Sequence, residues 1–161
     1  MISAIAVVTK NLAIGKDGDQ LYYIPGDLKR FKELTTGHTI VMGRKTFEAL
    51  PNGALPNRKN IVLSRAKGLE LPGCEVYNNL NDIISRVDEE IFIIGGEQIY
   101  ETFLPYINTV YLTEIDVERE DATKFFPLLK NEEWEEETVS SWLKDEKNKL
   151  NYRYIKLNRR I

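Results

Sequence analysis

A chain of 161 residues can bury one substantial core with a cleft in it, and 42% hydrophobic with 29% charged residues is the composition of a soluble globular protein. The 22 basic and 25 acidic residues leave a net charge of −3, which argues against a general nucleic-acid binder, and no apolar run approaches membrane-span length. A single cysteine, Cys74, forbids an intrachain disulfide, and with His38 as the single histidine it argues against any metal site of the zinc type. A cytoplasmic setting is expected.

The opening MISAIAVV lacks a basic leader region and reads as a first core strand over residues 2–8. Further apolar, β-branched runs at 39–42, 60–63 and 91–94 read as strands covered on both faces. Helix candidates lie between them at Pro25–Thr35, 45–50, 80–87 and 97–104, and this alternation predicts an α/β fold. Thr109–Ile115 alternates, and residues 134–143 and 150–157 read as two strands joined by the polar turn Asp145-Glu146-Lys147-Asn148. The expectation is one domain over residues 1–161, with a mostly parallel central sheet, helices on both faces and antiparallel C-terminal strands. No repeat or linker divides it.

Charge is unevenly placed. Residues 41–70 hold Arg44, Lys45, Arg58, Lys59, Arg65 and Lys67 against Glu48 and Glu70, whereas residues 114–146 are strongly acidic. A basic patch on an acidic chain fits a small anionic ligand; scattered surface charge is the plain alternative.

In open α/β sheets, ligands bind beyond the carboxyl ends of the strands. Three predicted strand ends have suitable residues. In TIVMGRKTFEAL, Gly43 permits close backbone approach, and Arg44, Lys45 and Thr46 open a helix with two cations and a hydroxyl. In KNIVLSRAKG, the strand ends at Leu63 and is followed by Ser64-Arg65, a hydroxyl beside a guanidinium. In IFIIGGEQIYETFL, Gly95-Gly96 follows a buried strand directly and lets a ligand touch the backbone. The usual dinucleotide fingerprint G-x-G-x-x-G is absent.

The remaining candidate is Asp27, in LYYIPGDLKRF. After Pro25 it falls in a first helical turn, where the macrodipole favours an anion, and that alone would explain it. Leu28, Phe31 and Leu34 recur at helical spacing as the expected buried stripe, which would place Asp27 half-buried among Ile5, Phe31 and the Tyr22 loop. Burial there would raise its pKa and suit it to proton chemistry or to pairing with a cationic heterocycle.

Taken in order, Ala6, Ile14-Gly15, Pro25-x-Asp27-Leu28-x-x-Phe31, MGRKTFEAL, LPNRKNIVLS, IIGGEQIY, YLTEID, Trp134 and NYRYIKL span essentially the whole chain. The set resembles dihydrofolate reductase of the bacterial chromosomal type. The resemblance implies NADPH-dependent reduction of 7,8-dihydrofolate, with Asp27 holding the pterin's amino and amide edge and promoting protonation of N5. Tyr22 would stand at the catalytic loop. Ile5, Ala6, Leu28, Phe31, Leu50, Leu55 and Ile94 would wall the substrate, Arg58 would pair with its α-carboxylate, and Thr113 would support Asp27. Tyr100 would lie by the nicotinamide, and Gly95-Gly96 would match the family's cis glycine pair.

For the cofactor the same likeness implies Ala6, Val7, Ile14, Gly15, Gly18, Gln20 and Gly43 along the inner strand ends and the adjacent loop. Lys45 and Thr46 would take the pyrophosphate, and Arg44, Leu63, Ser64 and Arg65 the adenosine end with its 2′-phosphate. Ile94, Gly95, Gly96, Glu97, Gln98, Ile99 and Tyr100 would complete the site. A monomer that binds methotrexate or trimethoprim-like antifolates, and neither nucleic acid nor membrane, is implied.

The chain departs from the pattern at Gln20-Leu21-Tyr22, where Leu-Pro-Trp is usual, and at Asp121-Ala122-Thr123, where the acid stands one residue early. Gln98 replaces a basic residue of some members. Two competing readings remain: another reductase of this fold, such as that of riboflavin biosynthesis, and a non-catalytic nucleotide-binding regulator.

Overall fold

The structure is a computed structural model that describes residues 1–86 and 88–161. Its strands are β1 (Ile2–Thr9), β2 (Ala13–Lys16), β3 (Asp19–Gln20), β4 (Thr39–Gly43), β5 (Lys59–Leu63), β6 (Cys74–Tyr77), β7 (Ile91–Gly95), β8 (Thr109–Ile115), β9 (Lys124–Phe125), β10 (Trp134–Val139), β11 (Leu143–Asp145) and β12 (Leu150–Arg159). The helices are α1 (Pro25–Thr35), α2 (Arg44–Glu48), α3 (Asn81–Ile84) and α4 (Glu97–Phe103), followed by a 3-10 turn, Leu104–Tyr106.

The main sheet runs β10-β12-β8-β1-β7-β4-β5-β6, with β11 beside β12. The pairs from β8 through β1, β7, β4 and β5 to β6 are all parallel, and β12 joins β8, β10 and β11 antiparallel. This is the mostly parallel sheet with antiparallel C-terminal strands that the alternation predicts.

Alternation along each strand separates two cores. Val41, Ile61 and Ile93 join Ala4, Ala6, Val8, Tyr100 and Phe103 in one cluster; Ile40, Met42, Val62 and Phe92 join Phe47 in the other. Each fully buried isoleucine, valine or phenylalanine contributes about 1.5–3 kcal/mol, so both sides hold the central strands in register. A third cluster, Ile24, Ile115 and Tyr152, seats the start of α1.

Several predicted boundaries shift for local reasons. The strand expected over 134–143 is two strands, because Ser140 turns its side chain to the backbone. Its Oγ accepts from the Tyr154 amide at 2.9 Å, and its own amide donates to the Tyr154 carbonyl at 2.8 Å. A register shift between Glu136 and Thr138 loosens the ladder just before. Pro105 ends α4 early and tightens the next turn into a 3-10 form. The helix expected at 80–87 is the short α3, and the Val87 end of that expectation lies outside the described residues. Strands β2, β3, β6 and β9 are too short to have left a periodic signal.

The expected stripe on α1 is the main correction. Leu28 is 47% exposed, Phe31 and Leu34 are half-buried, and the buried positions of the helix are Asp27 and Thr35. Among the described residues, α1 makes no extended close backbone approach to any strand of the main sheet. Its apolar side chains are therefore left partly exposed instead of packed into the core.

Candidate active site

Asp27 is fixed from both ends of the fold. Pro25 occupies the first turn of α1, where its missing N–H costs nothing, and brings the next carboxylate to the sheet. From β8, Thr113 Oγ1 donates a hydrogen bond to Asp27 Oδ1. Asp27 is 8% exposed, more deeply buried than its helix spacing suggests. Burial pushes its pKa up; the Thr113 hydrogen bond and the nearby Arg30 charge partly offset that rise. The carboxyl is thus prepared to hold a proton at a higher pH than an ordinary aspartate.

Thr35 and Phe31, farther along α1, meet Arg58. Arg58 Nη1 donates to Thr35 Oγ1 at 3.1 Å, its Nε to the Pro56 carbonyl at 2.9 Å, and its guanidinium lies 6.0 Å from the Phe31 ring centre. Asn60 holds this loop by accepting from the Leu55 amide at 2.9 Å and donating to the Leu55 carbonyl at 2.8 Å. At 1.5 Å per residue, α1 separates Asp27 from Thr35 by about 12 Å. Ile5, Leu50, Leu55 and Ile94 border the second core only half-buried. With Leu28 and Phe31 they are apolar side chains that folding leaves partly exposed.

The second group of predicted residues gathers where β4, β5 and β7 end. A Cβ on Gly43 would come within 3.0 Å of Ile99 Cγ1, so glycine is what lets α4 pack there. Gly95 has φ +128, a region L side chains rarely adopt, and its peptide to Gly96 is cis. Thr46 Oγ1 stands 3.6 Å from where either glycine would place a Cβ. Tyr100 donates to the Ile5 carbonyl at 2.6 Å and ties α4 to β1, while burial raises its pKa above the usual tyrosine value. Ser64 Oγ accepts from the Ala66 amide at 3.2 Å, which leaves its proton to donate. Lys45 and Arg65 are exposed beside it, and Arg44 pairs with Glu48 at 3.4 Å.

Gly18, at the tip of the β2–β3 hairpin, shares a hollow with Lys45, Glu48 and Ala49, so this hairpin faces α2 across one opening. Ala6 is buried in β1, Val7 and Ile14 pack half-buried against the cores, and Gly15 lies in β2.

Other expected residues are engaged elsewhere. The Tyr22 hydroxyl accepts from Arg119 Nη1 at 3.2 Å, and its ring lies under the same guanidinium at 5.6 Å. Gln20 Nε2 donates to the Tyr22 carbonyl at 2.5 Å. Glu97 Oε2 accepts from the Phe125 amide at 2.7 Å, and Gln98 is exposed. The displaced Asp121 binds Arg119 through both oxygens, at 2.8 and 2.9 Å, and accepts from Lys16 at 3.1 Å. The pairing of β2 with β9 closes the same two loops through their backbones.

Sequence reasoning missed Arg30 and Tyr154 near Asp27, Tyr111 beside Arg30, and Arg119 beside Tyr22. Arg30 stands three residues after Asp27 on one helix face, and Tyr111 two before Thr113 on one strand face, so both were within reach of periodicity. Nothing local to Arg119 points to Tyr22, 97 residues away. Among the described residues, no group of three or more His, Cys, Asp or Glu is placed to hold a metal ion.

The geometry agrees with the comparisons to known proteins. The family model described as "Dihydrofolate reductase" matches residues 1–159. The dihydrofolate reductase of Bacillus subtilis (strain 168) is 41% identical over 157 residues, 96% of this chain and 92% of that protein. That of Haemophilus influenzae is 39% identical over 160 residues, 98% of each. A solved dihydrofolate reductase from Enterococcus faecalis, complexed with NADP(H) and RAB-propyl, superposes with a TM-score of 0.91 at 32% identity, over 100% of this chain and 97% of that one. With Asp27 and Thr113 joined under a helix that stands off a sheet of this order, the chain belongs to the dihydrofolate reductase family, in its bacterial form.

Proposed function

We propose that Asp27 anchors the pterin in the reaction of this family, the NADPH-dependent reduction of 7,8-dihydrofolate to 5,6,7,8-tetrahydrofolate. The observation that supports it best is a buried carboxyl with a raised pKa and one hydroxyl partner; the partly exposed apolar side chains near α1 would form a trough with this carboxyl at its closed end. Such a group accepts hydrogen bonds from the pterin's amino and ring N–H edge, and its preference for the protonated state favours delivery of a proton to N5. Ile5, Leu28, Phe31, Leu50, Leu55 and Ile94 exclude water from the ring, and that exclusion strengthens the carboxyl's interactions. At the open end, the Arg58 fork suits the substrate's α-carboxylate, a bidentate task that lysine performs poorly.

The ends of β4, β5 and β7 fit the cofactor. Thr46, Ser64, Lys45, Arg44 and Arg65 make a donor set for phosphate oxygens, and Gly95-Gly96 offers bare backbone beside Tyr100. When bound, NADPH supplies the hydride that C6 receives. Thr46 and Tyr100 would orient that end, and Arg44, Ser64 and Arg65 would take a 2′-phosphate.

The same reading makes the protein a single-domain, cytoplasmic monomer inhibited by methotrexate- or trimethoprim-like antifolates. Among the described residues, no helix is long and apolar enough to cross a membrane.

The test is NADPH oxidation followed at its absorbance band, with and without dihydrofolate. Oxidation that requires dihydrofolate and stops on methotrexate addition is expected. NADPH binding without turnover, or turnover indifferent to the antifolate, would refute the reading.

A further inference from the structure

Arg30 holds a charge that the site described above does not account for. Its guanidinium lies 4.0 Å from the centre of the Tyr154 ring and 5.8 Å from that of Tyr111, so two aromatic rings on β12 and β8 hold it in place. Among the described residues, no carboxylate comes within 4.0 Å of its nitrogens and they donate no hydrogen bond. A half-buried cation without an ion pair is unusual, since burial works against its charge. The one carboxylate whose field acts on it is Asp27, three residues earlier on the same face of α1.

Among the described residues, the other polar groups around Asp27 and Arg30 are hydroxyls. Thr113 and Tyr111 come from β8, Tyr152 and Tyr154 from β12, and Tyr100 from α4. Lys156, farther along β12, lies 5.5 Å from the Tyr111 ring centre and is paired with Glu137 at 2.9 Å. The Tyr22 hydroxyl faces Arg119. Among the described residues, Arg30 is thus the cation near the acid that no carboxylate pairs with.

We propose that Arg30 is a positioning residue for the Asp27 site: its guanidinium, fixed against the Tyr154 and Tyr111 rings, sets the pH below which Asp27 can take up the proton that reduction requires. This rests on Asp27 being the protonated group of the reaction. The cation stabilises the carboxylate, so it works against burial and keeps the protonated form to lower pH. The aromatic clamp matters because a free arginine on the rim of a trough would swing into solvent and lose most of that effect.

The test measures single-turnover hydride transfer in the NADPH-loaded enzyme across pH, for the parent, Arg30→Met, Arg30→Lys and Asp27→Asn. In Arg30→Met the midpoint of the falling limb should move up by about half to one pH unit, and Arg30→Lys should return most of the shift. A midpoint in Arg30→Met equal to the parent's would overturn the proposal. So would an equal shift in Arg30→Lys, which would make the effect one of packing. If Arg30→Met does not fold, Arg30→Gln takes its place with the same expectation. A parent-like limb in Asp27→Asn would sink the Asp27 reading itself. Loss of that limb in Asp27→Asn, with unmoved Arg30 variants, would sink only the Arg30 proposal.

Discussion

Two aspartates, Asp27 and Asp121, have opposite surroundings. Asp27 is buried under α1 with a threonine hydroxyl as its hydrogen-bond partner, and its pKa is raised mainly by burial. Asp121 lies on the surface between Arg119 and Lys16, and their hydrogen bonds hold its pKa well below the usual value. On the proposed reading, the first is kept for a proton. The second stays charged to hold the 119–125 loop to the β2 hairpin. On that reading, the same side chain serves chemistry or fastening according to the count of cations and the access of water around it.

Substitutions at the two places should separate those roles by size. Asp27→Asn keeps the shape and loses the titrating group; turnover at neutral pH should fall by roughly 100-fold or more, with NADPH affinity unchanged in a fluorescence titration. Arg58→Leu should next raise the KM for dihydrofolate by about 10- to 100-fold with little effect on kcat, because it removes binding shared by ground and transition states. A pure kcat loss would contradict a tail contact.

Stability gives a third, smaller contrast. A carboxyl with a raised folded-state pKa binds more protons folded than unfolded, so it costs stability as pH rises from the ordinary aspartate value through the raised one. Asp27→Asn should therefore increase Tm by about 2–4 °C at neutral pH, and the gain should vanish at acid pH where both states are protonated. Asp121 has the opposite sign: its lowered pKa adds stability that is present at neutral pH and lost as pH falls below about the ordinary 3.8. Arg119→Met should have the smallest effect, about a two- to three-fold change in steady-state rate that weakens with added salt, because the ion pairs it breaks are exposed.

The part of this that the sequence made legible follows from chemistry that repeats. Apolar runs at 39–42, 60–63 and 91–94 name strands buried on both faces, and the residues after them, Gly43, Ser64 and Gly95-Gly96, gather at one edge for that reason alone. Asp27 was legible as an acid in a first turn, yet its depth was misjudged. The stripe of Leu28, Phe31 and Leu34 predicts a helix seated on the sheet, whereas the fold leaves that stripe half-open, as the proposed substrate trough would require.

What stayed hidden depends on distant pairing. Arg119 meets Tyr22, Glu97 meets the Phe125 amide and Ser140 meets Tyr154 only after the sheet has closed. The substitution of tyrosine for the usual tryptophan at position 22 now has a physical counterpart. A hydroxyl at that site can be tied to a loop arginine, whereas an indole N–H could only donate and would find no acceptor on a guanidinium.

The most direct test is a carbon-13 NMR titration of the aspartate side-chain carboxyls, with Asp27 and Asp121 assigned through their asparagine variants. Asp27 should titrate above the ordinary aspartate value and Asp121 below it in the same sample. An Asp27 midpoint at or below the ordinary value would contradict the claim that this carboxyl is buried to hold the proton.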